Sequence, residues 1–441
     1  MSVQSKAFLL GVLGALACVD AASAGRGGSV AELPSQPSID SGGPRVEAGA
    51  EPAPAPANPL LPAVPFRTNG RFVVDAGGQR FKLAGVSWYG AESAKLIPDG
   101  LDIASLDAIA GLVRTLGFNS VRLPWCNEMV ARNPVVSAAE VAANPELVGK
   151  TALEVLDAVV DALARQGLVS ILDNHRSRGD WCCDTAHGDG LWYTAEYPEE
   201  VWLEHWRQMT ERYLTRPSVI GMDLRNEPRG QLAPDVPATC VDCDNPGAEC
   251  VCEWSRWGSN AGTDRDWASA AERAGNAILA LNPQLLILVE GPDWASWLGA
   301  SYRPIVLGVP DRLVYSVHKY SFDYAAEPIA GDCAAWTASM DNSAGYVLTP
   351  GMPHTAPLWL GEFGIAQNNT AHPWWSCILA YLADKDLDWS YWALNGTQGP
   401  GYNRVDGAPE GYGVLDPTWS GPANAEHLGH LQALQPARLF P

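Results

Sequence analysis

The chain has 441 residues, 47% of them hydrophobic, with 29 basic and 50 acidic side chains and a formal net charge of −21. That length suits one large domain with its own core, and the composition excludes a fibrous or wholly disordered protein. A strong negative balance with no Lys/Arg cluster gives no footprint for a phosphate backbone, so no nucleic acid is expected as a partner and an uncharged one fits better.

The first residues carry an export pattern: Lys6, the apolar run AFLLGVLGALACV, then Ala22-Ser23-Ala24. The apolar run is too short to span a bilayer and the small-x-small triplet suits cleavage, so 1–24 is expected to be a signal peptide and the protein secreted or extracytoplasmic. Cys18, preceded by Leu16-Ala17, also resembles a lipoprotein acceptor, although Ala15 stands where Leu is usual. A membrane tether is expected only if Cys18 is lipidated. Residues 25–65, rich in Pro, Ala, Gly and Ser and ending in EPAPAPANPLLPAVP, read as a linker that buries too little apolar surface to fold.

Residues 66–441 read as one folded domain. It opens with RFVVDAGGQRFKL, whose alternation around Asp-Ala-Gly-Gly predicts a hairpin. Eight apolar runs follow, at 82–88, 119–125, 168–175, 219–227, 285–291, 313–320, 357–362 and 387–395. Amphipathic stretches such as LDAIAGLVRTLG, TALEVLDAVVDALARQG, WASAAERAGNAILALNP and WWSCILAYLADKD separate them, with Gly or Asn-Pro as stops. Eight strands apolar on both faces and divided by helices predict an α/β fold, a parallel (β/α)8 barrel.

Ten cysteines in an exported chain predict disulfides, and loss of Cys18 with the signal leaves an odd number. Cys126, directly after an apolar strand, is the expected free thiol. The segment CVDCDNPGAECVC lacks paired zinc spacing and is expected to be a disulfide-stapled loop, so no metal and no cofactor are expected. It and the vicinal Cys182-Cys183 fall in loops after the fourth and third strands, where they would shape the barrel mouth.

Polar residues recur at the C-terminal strand ends: Arg122, His175, Asn226 with Glu227, Glu290, His318 with Tyr320, Glu362 and Trp392. A (β/α)8 barrel collects such residues at one mouth. Glu227 and Glu362, ending the fourth and seventh runs, can face each other across it, and two opposed carboxyls are what glycosidic-bond cleavage requires. A neighbouring cation and donors would hold Glu362 ionised, leaving Glu227 as the proton-bearing partner. Glu290 reads as a supporting carboxylate, and His187, His205 and His354 as structural. Of the 18 tryptophans, Trp88 and Trp392 are expected to line the cleft, with Trp125, Trp181 and Trp192 as further candidates and the rest in the core.

Arg122 before LPW, LDNH ending at His175, LRNEP around Glu227, SVHKYSF, WLGEFG around Glu362 and SYWALNG, in this order, resemble glycoside hydrolase family 5 over nearly all of residues 70–420. The resemblance implies a retaining double displacement with Glu227 as acid/base and Glu362 as nucleophile. It further implies that Arg122 orients Glu362, that Asn226 bonds the sugar 2-hydroxyl, and that His175, His318 and Tyr320 form a polar floor beneath the Trp392 platform. The substrate expected is a β-1,4-glucan cut internally by a monomer at acidic to neutral pH. Mannan, xylan and mixed-linkage glucan stay open within the class, and a non-catalytic glycan-binding barrel stands as the alternative outside it.

Overall fold

The computed structural model describes residues 60–181, 188–232, 243, 252–258, 265–301, 303–321 and 332–436. The signal and most of the linker, the vicinal cysteines, His187, Cys240 and Cys250 therefore lie outside the described residues.

Eight parallel strands close into a barrel: β1 Ala84–Ser87, β2 Ser120–Cys126, β3 Val169–Arg176, β4 Val219–Asp223, β5 Leu286–Glu290, β6 Leu313–Tyr320, β7 Leu358–Gly364 and β8 Asp388–Tyr391. Each pairs with its sequence neighbours and β8 pairs with β1, so no edge is left open. Helices α1 Leu106–Thr115, α2 Ala152–Arg165, α3 Glu199–Arg212, α4 Trp267–Leu281, α5 Cys333–Ser343, α6 Pro373–Asp384 and α7 Ala425–Ala433 surround it. Their starts are written locally. Ser105 accepts from the Ala108 N–H to cap α1, and Thr151 forms a capping box with Glu154 on α2.

The inward faces of the strands change character from bottom to top. On β3, Val169 and Ile171 sit in the lower core and Asp173 and His175 follow on the same face; on β5, Leu286 and Leu288 are followed by Glu290. The lower layer is apolar and is closed from below by Phe66, Val73 and Leu83. The upper layer is charged. A dry floor thus lies directly under ionisable groups and lowers the dielectric around them.

Three sequence boundaries shift. The paired hairpin is Arg67–Asn69 with Phe72–Val74, turning at Gly70, whose positive φ suits that position. The Asp-Ala-Gly-Gly turn supports only a single bridge, Val74 to Arg80. Leu61 and Val64, read as linker, pack on the lower core. The fourth run ends as a strand at Asp223, so Glu227 sits in the following loop with φ +48°.

The Cys333–Cys377 disulfide ties α5 to α6, and Cys243–Cys252 staples the loop after β4 beside the small sheet Gly230–Leu232/Cys252–Trp254. Cys126 is a free, buried thiol, as the sequence pattern suggested. It caps the short helix Asn127–Arg132 by accepting from the Met129 N–H, and burial pushes its ionisation far up, making it unreactive.

Candidate active site

Arg122 is the hub of the mouth. Its guanidinium, fully buried, donates to Asp223 at 2.9 Å, Asn226 Oδ1 at 2.9 Å, Glu290 at 3.1 Å and Glu362, and lies 3.0 Å from Asp173. One cation thus meets four carboxylates. No arrangement of that density keeps all four ionised, and burial raises Asp223 well above the ordinary carboxyl range and Asp173 to about 7. Glu290 goes the other way, down to about 2, although burial opposes it: His318, Arg122 and the Glu227 backbone N–H all favour its charge. Asp173, Asp223 and Glu290 are close enough to share a cation, and the Arg122 guanidinium supplies one among them.

Glu227 and Glu362 face each other above this hub. A carboxylate oxygen of each and a ring nitrogen of His318 all lie within 4.8 Å of one another. So close an approach of two carboxylate oxygens fits the short carboxyl separation of retaining glycosidases, roughly 5 to 5.5 Å, better than the roughly 6.5 to 9.5 Å of inverting ones. Glu362 accepts from Arg122 on one oxygen and from the Tyr320 hydroxyl at 2.7 Å on the other. Glu227 is fixed by its backbone N–H donating to Glu290 Oε2 at 2.7 Å and by His318 Nδ1 at 2.9 Å from its Oε1.

His318 stands between three carboxylates, with Glu290 at 3.3 Å on Nε2 and Glu362 at 3.6 Å on Nδ1 besides Glu227. Burial disfavours its charge, but Glu290 and Glu362 outweigh that and raise its basicity, so it holds both ring protons. His175 differs. Burial lowers it, so it is neutral, and its Nδ1 lies 2.6 Å from Asp173.

The expectation that a neighbouring cation and donors hold Glu362 ionised meets an opposing influence. Burial raises its carboxyl above the ordinary range even though His318 and Arg122 pull it down, so it ionises only as pH climbs past that range. The sequence reading counted the cation and left out the desolvation. Burial and the Glu362 charge likewise keep the Tyr320 hydroxyl protonated and able to donate.

Trp392, at the end of β8, lies parallel to His175 (5.3 Å, 16°) and to Tyr89 (5.4 Å, 15°). Trp88 is a correction: it is fully buried against Trp419 and donates its indole N–H to the Asp99 carbonyl. Side chains alternate along a strand and its extension. Ser87 faces inward to Ser390, so Trp88 turns out toward the helices and Tyr89 turns in. Trp125, against Trp206, and Trp192, against Trp267, are core residues, whereas Trp181 joins the aromatic group beside Trp392. His205 contacts Asn127 and His354 the Tyr346 ring, outside this constellation.

Sequence reasoning missed Asp173 and Asp223, although LDNH places Asp173 two residues before His175 and hence on its face. It also missed Tyr89, Glu410 and Arg404, which form a second, largely buried network at the rim, and Arg229, whose guanidinium in the loop after β4 lies 4.1 Å over the Trp294 ring of the loop after β5.

Comparison with known proteins agrees with this geometry. Residues 74–398 match the family model Cellulase (glycosyl hydrolase family 5). The chain belongs to glycosyl hydrolase family 5. An endoglucanase of Paenibacillus polymyxa is 33% identical over 353 residues, covering 76% of this chain and 80% of that protein. The major extracellular endoglucanase of Xanthomonas campestris is 30% identical over 75% of this chain and 65% of its own length. The solved catalytic domain of the major Xanthomonas campestris endoglucanase superposes with a TM-score of 0.66 at 26% identity, over 84% of this chain and 99% of that one. A cellotetraose complex of an endocellulase from Pyrococcus horikoshii gives 0.66 at 25%, over 85% and 100%. This family 5 member is therefore a glycoside hydrolase on a (β/α)8 barrel.

Proposed function

We propose that this hydrolase is an exported, endo-acting, retaining β-1,4-glucanase in which Glu362 is the nucleophile and Glu227 the acid/base. The observation that carries the reading is the close Glu227–Glu362 approach over a shared His318, joined by the endoglucanase and endocellulase relatives. The described disulfides fit an oxidising compartment.

A Glu362 carboxylate oxygen attacks the anomeric carbon as Glu227 passes its proton to the glycosidic oxygen, so the C–O bond breaks and the aglycone leaves as an alcohol. The ionised Glu227 then takes a proton from water, whose oxygen displaces Glu362 and restores both groups. Arg122 and Tyr320 hold the attacking carboxylate in place, and His318 positions Glu227. Trp392 is the platform for the sugar at the cleaved bond, and Asn226, held by Arg122, meets its 2-hydroxyl.

Glu227→Ala should retain activity on an aryl glycoside whose leaving group needs no protonation, and Glu362→Ala should lose it. Equal loss in both variants would show the roles are misassigned. Reducing-sugar release from soluble β-glucans tests the substrate, and release from mannan alone would replace glucan in the reading.

A further inference from the structure

The loop that follows β8 is locked against Trp181, which comes from the loop after β3. Gly401 packs so closely that a Cβ there would lie 2.4 Å from the Trp181 Cβ. The Tyr402 N–H donates to Asp180 Oδ1 at 3.2 Å, and the same oxygen accepts the Trp181 N–H at 2.7 Å. Arg404 lies 3.8 Å over the Trp181 ring and is itself fixed by Glu410 and by the Tyr89 hydroxyl at 2.8 Å. Tyr89 completes the group, 5.1 Å from Trp181 at 71° and also bonded to Glu410 at 2.6 Å.

Trp181 is only part-buried in this clamp, whereas Tyr89 within it is fully buried. Its ring centre is 6.1 Å from that of Trp392, close to the reach of one pyranose unit. The position also has a side. Glu227, which protonates the leaving group, is tied to Glu290, His318 and Arg229, on the β4 to β6 side of the mouth. Trp181 is tied instead to Trp392, Tyr89 and the β8 loop, on the side of the sugar that stays bound to the enzyme.

We propose that Trp181, held rigid by Arg404 and Gly401, is a specificity-determining residue that binds the second glucosyl unit on the non-reducing side of the cleaved bond. The inference rests on the glucanase reading above. An aromatic surface already fixed before binding loses little conformational freedom when a pyranose settles on it, so its contribution goes into recognising chain length. Trp181 acts on binding of the distal sugar and not on the reacting atoms.

The test compares a dinitrophenyl β-glucoside, which fills only the first sugar position, with the dinitrophenyl β-cellobioside, which also fills the second. In Trp181→Ala, kcat/KM on the cellobioside should fall about tenfold, mostly through KM, with glucoside turnover unchanged within about twofold. Trp181→Phe, which keeps an aromatic face, should recover most of the loss. Equal falls on both glycosides, or a fall that follows a lowered Tm and that Phe does not rescue, would make Trp181 a loop-packing residue and overturn the proposal. An unchanged cellobioside value would overturn it too. A wild type inactive on both glycosides and on β-glucan would sink the glucanase reading itself and the subsite with it.

Discussion

Two arginines organise the mouth in opposite ways. Arg122 has no exposed side-chain surface and is encircled by Asp173, Asp223, Glu290 and Glu362, whereas Arg404 keeps 11% of its side chain exposed and meets one carboxylate, Glu410, and two aromatic rings. The first acts on charge at the reacting atoms, where burial, Arg122 and His318 together decide which acids ionise. The second sets shape, because its guanidinium spends itself on packing loops and a tryptophan into one surface. Removing the first should therefore damage chemistry, and removing elements of the second should change which substrates are reached.

The largest effect is expected at Arg122. Lysine keeps the charge but cannot donate from several fixed directions to Asp223, Asn226 and Glu362 together. Arg122→Lys should lower kcat by about 10² to 10³ with the fold retained by circular dichroism. Loss below about tenfold would mean that charge alone, without the fork geometry, suffices.

A smaller contrast tests how the protons are distributed around the same hub. Glu290 is held ionised and Asp223 is raised, so the neutral amide imitates Asp223 and not Glu290. Glu290→Gln should cost roughly tenfold or more in kcat, since it removes the charge and turns one of the two oxygens, which face the Glu227 N–H on one side and Arg122 and His318 on the other, into a donor, whereas Asp223→Asn should cost only a few-fold. The reverse order would redraw the network with the proton on Glu290.

The hub and the rim also differ in how far sequence could reach them. Eight strands, their C-terminal polar residues and the pair Glu227 and Glu362 were legible because each is written within a few residues: an apolar run, then a charged group at its end. Arg122 was legible as a strand-end cation, but its four carboxylates come from β3, β4, β5 and β7, and their competition for one charge exists only once the barrel closes. Trp88 was misplaced because the β1 run was read without its alternation, which turns Trp88 out and Tyr89 in. The rim was illegible for a further reason. Arg404 and Glu410 lie more than two hundred residues after Trp181 and meet it through irregular loops, where neither a period of 2 nor one of 3.6 constrains direction.

The smallest expected effect concerns stability and falls on the rim. Glu92, buried in the loop after β1, accepts the Gly90 N–H at 2.8 Å on one oxygen, and among the described residues its other oxygen has no hydrogen-bond partner. Burial raises its carboxyl from 4.5 to about 8. Between those values the folded chain keeps a proton that the unfolded chain has released, so this group's contribution to stability declines as pH rises through the window and levels off above it. Glu92→Gln removes the titration while keeping an acceptor for Gly90. Its Tm relative to wild type should therefore climb steadily from about pH 4.5 to pH 8 and stop climbing beyond. A difference independent of pH would mean that Glu92 ionises in place, and that the rim, like the hub, holds its acids with charge.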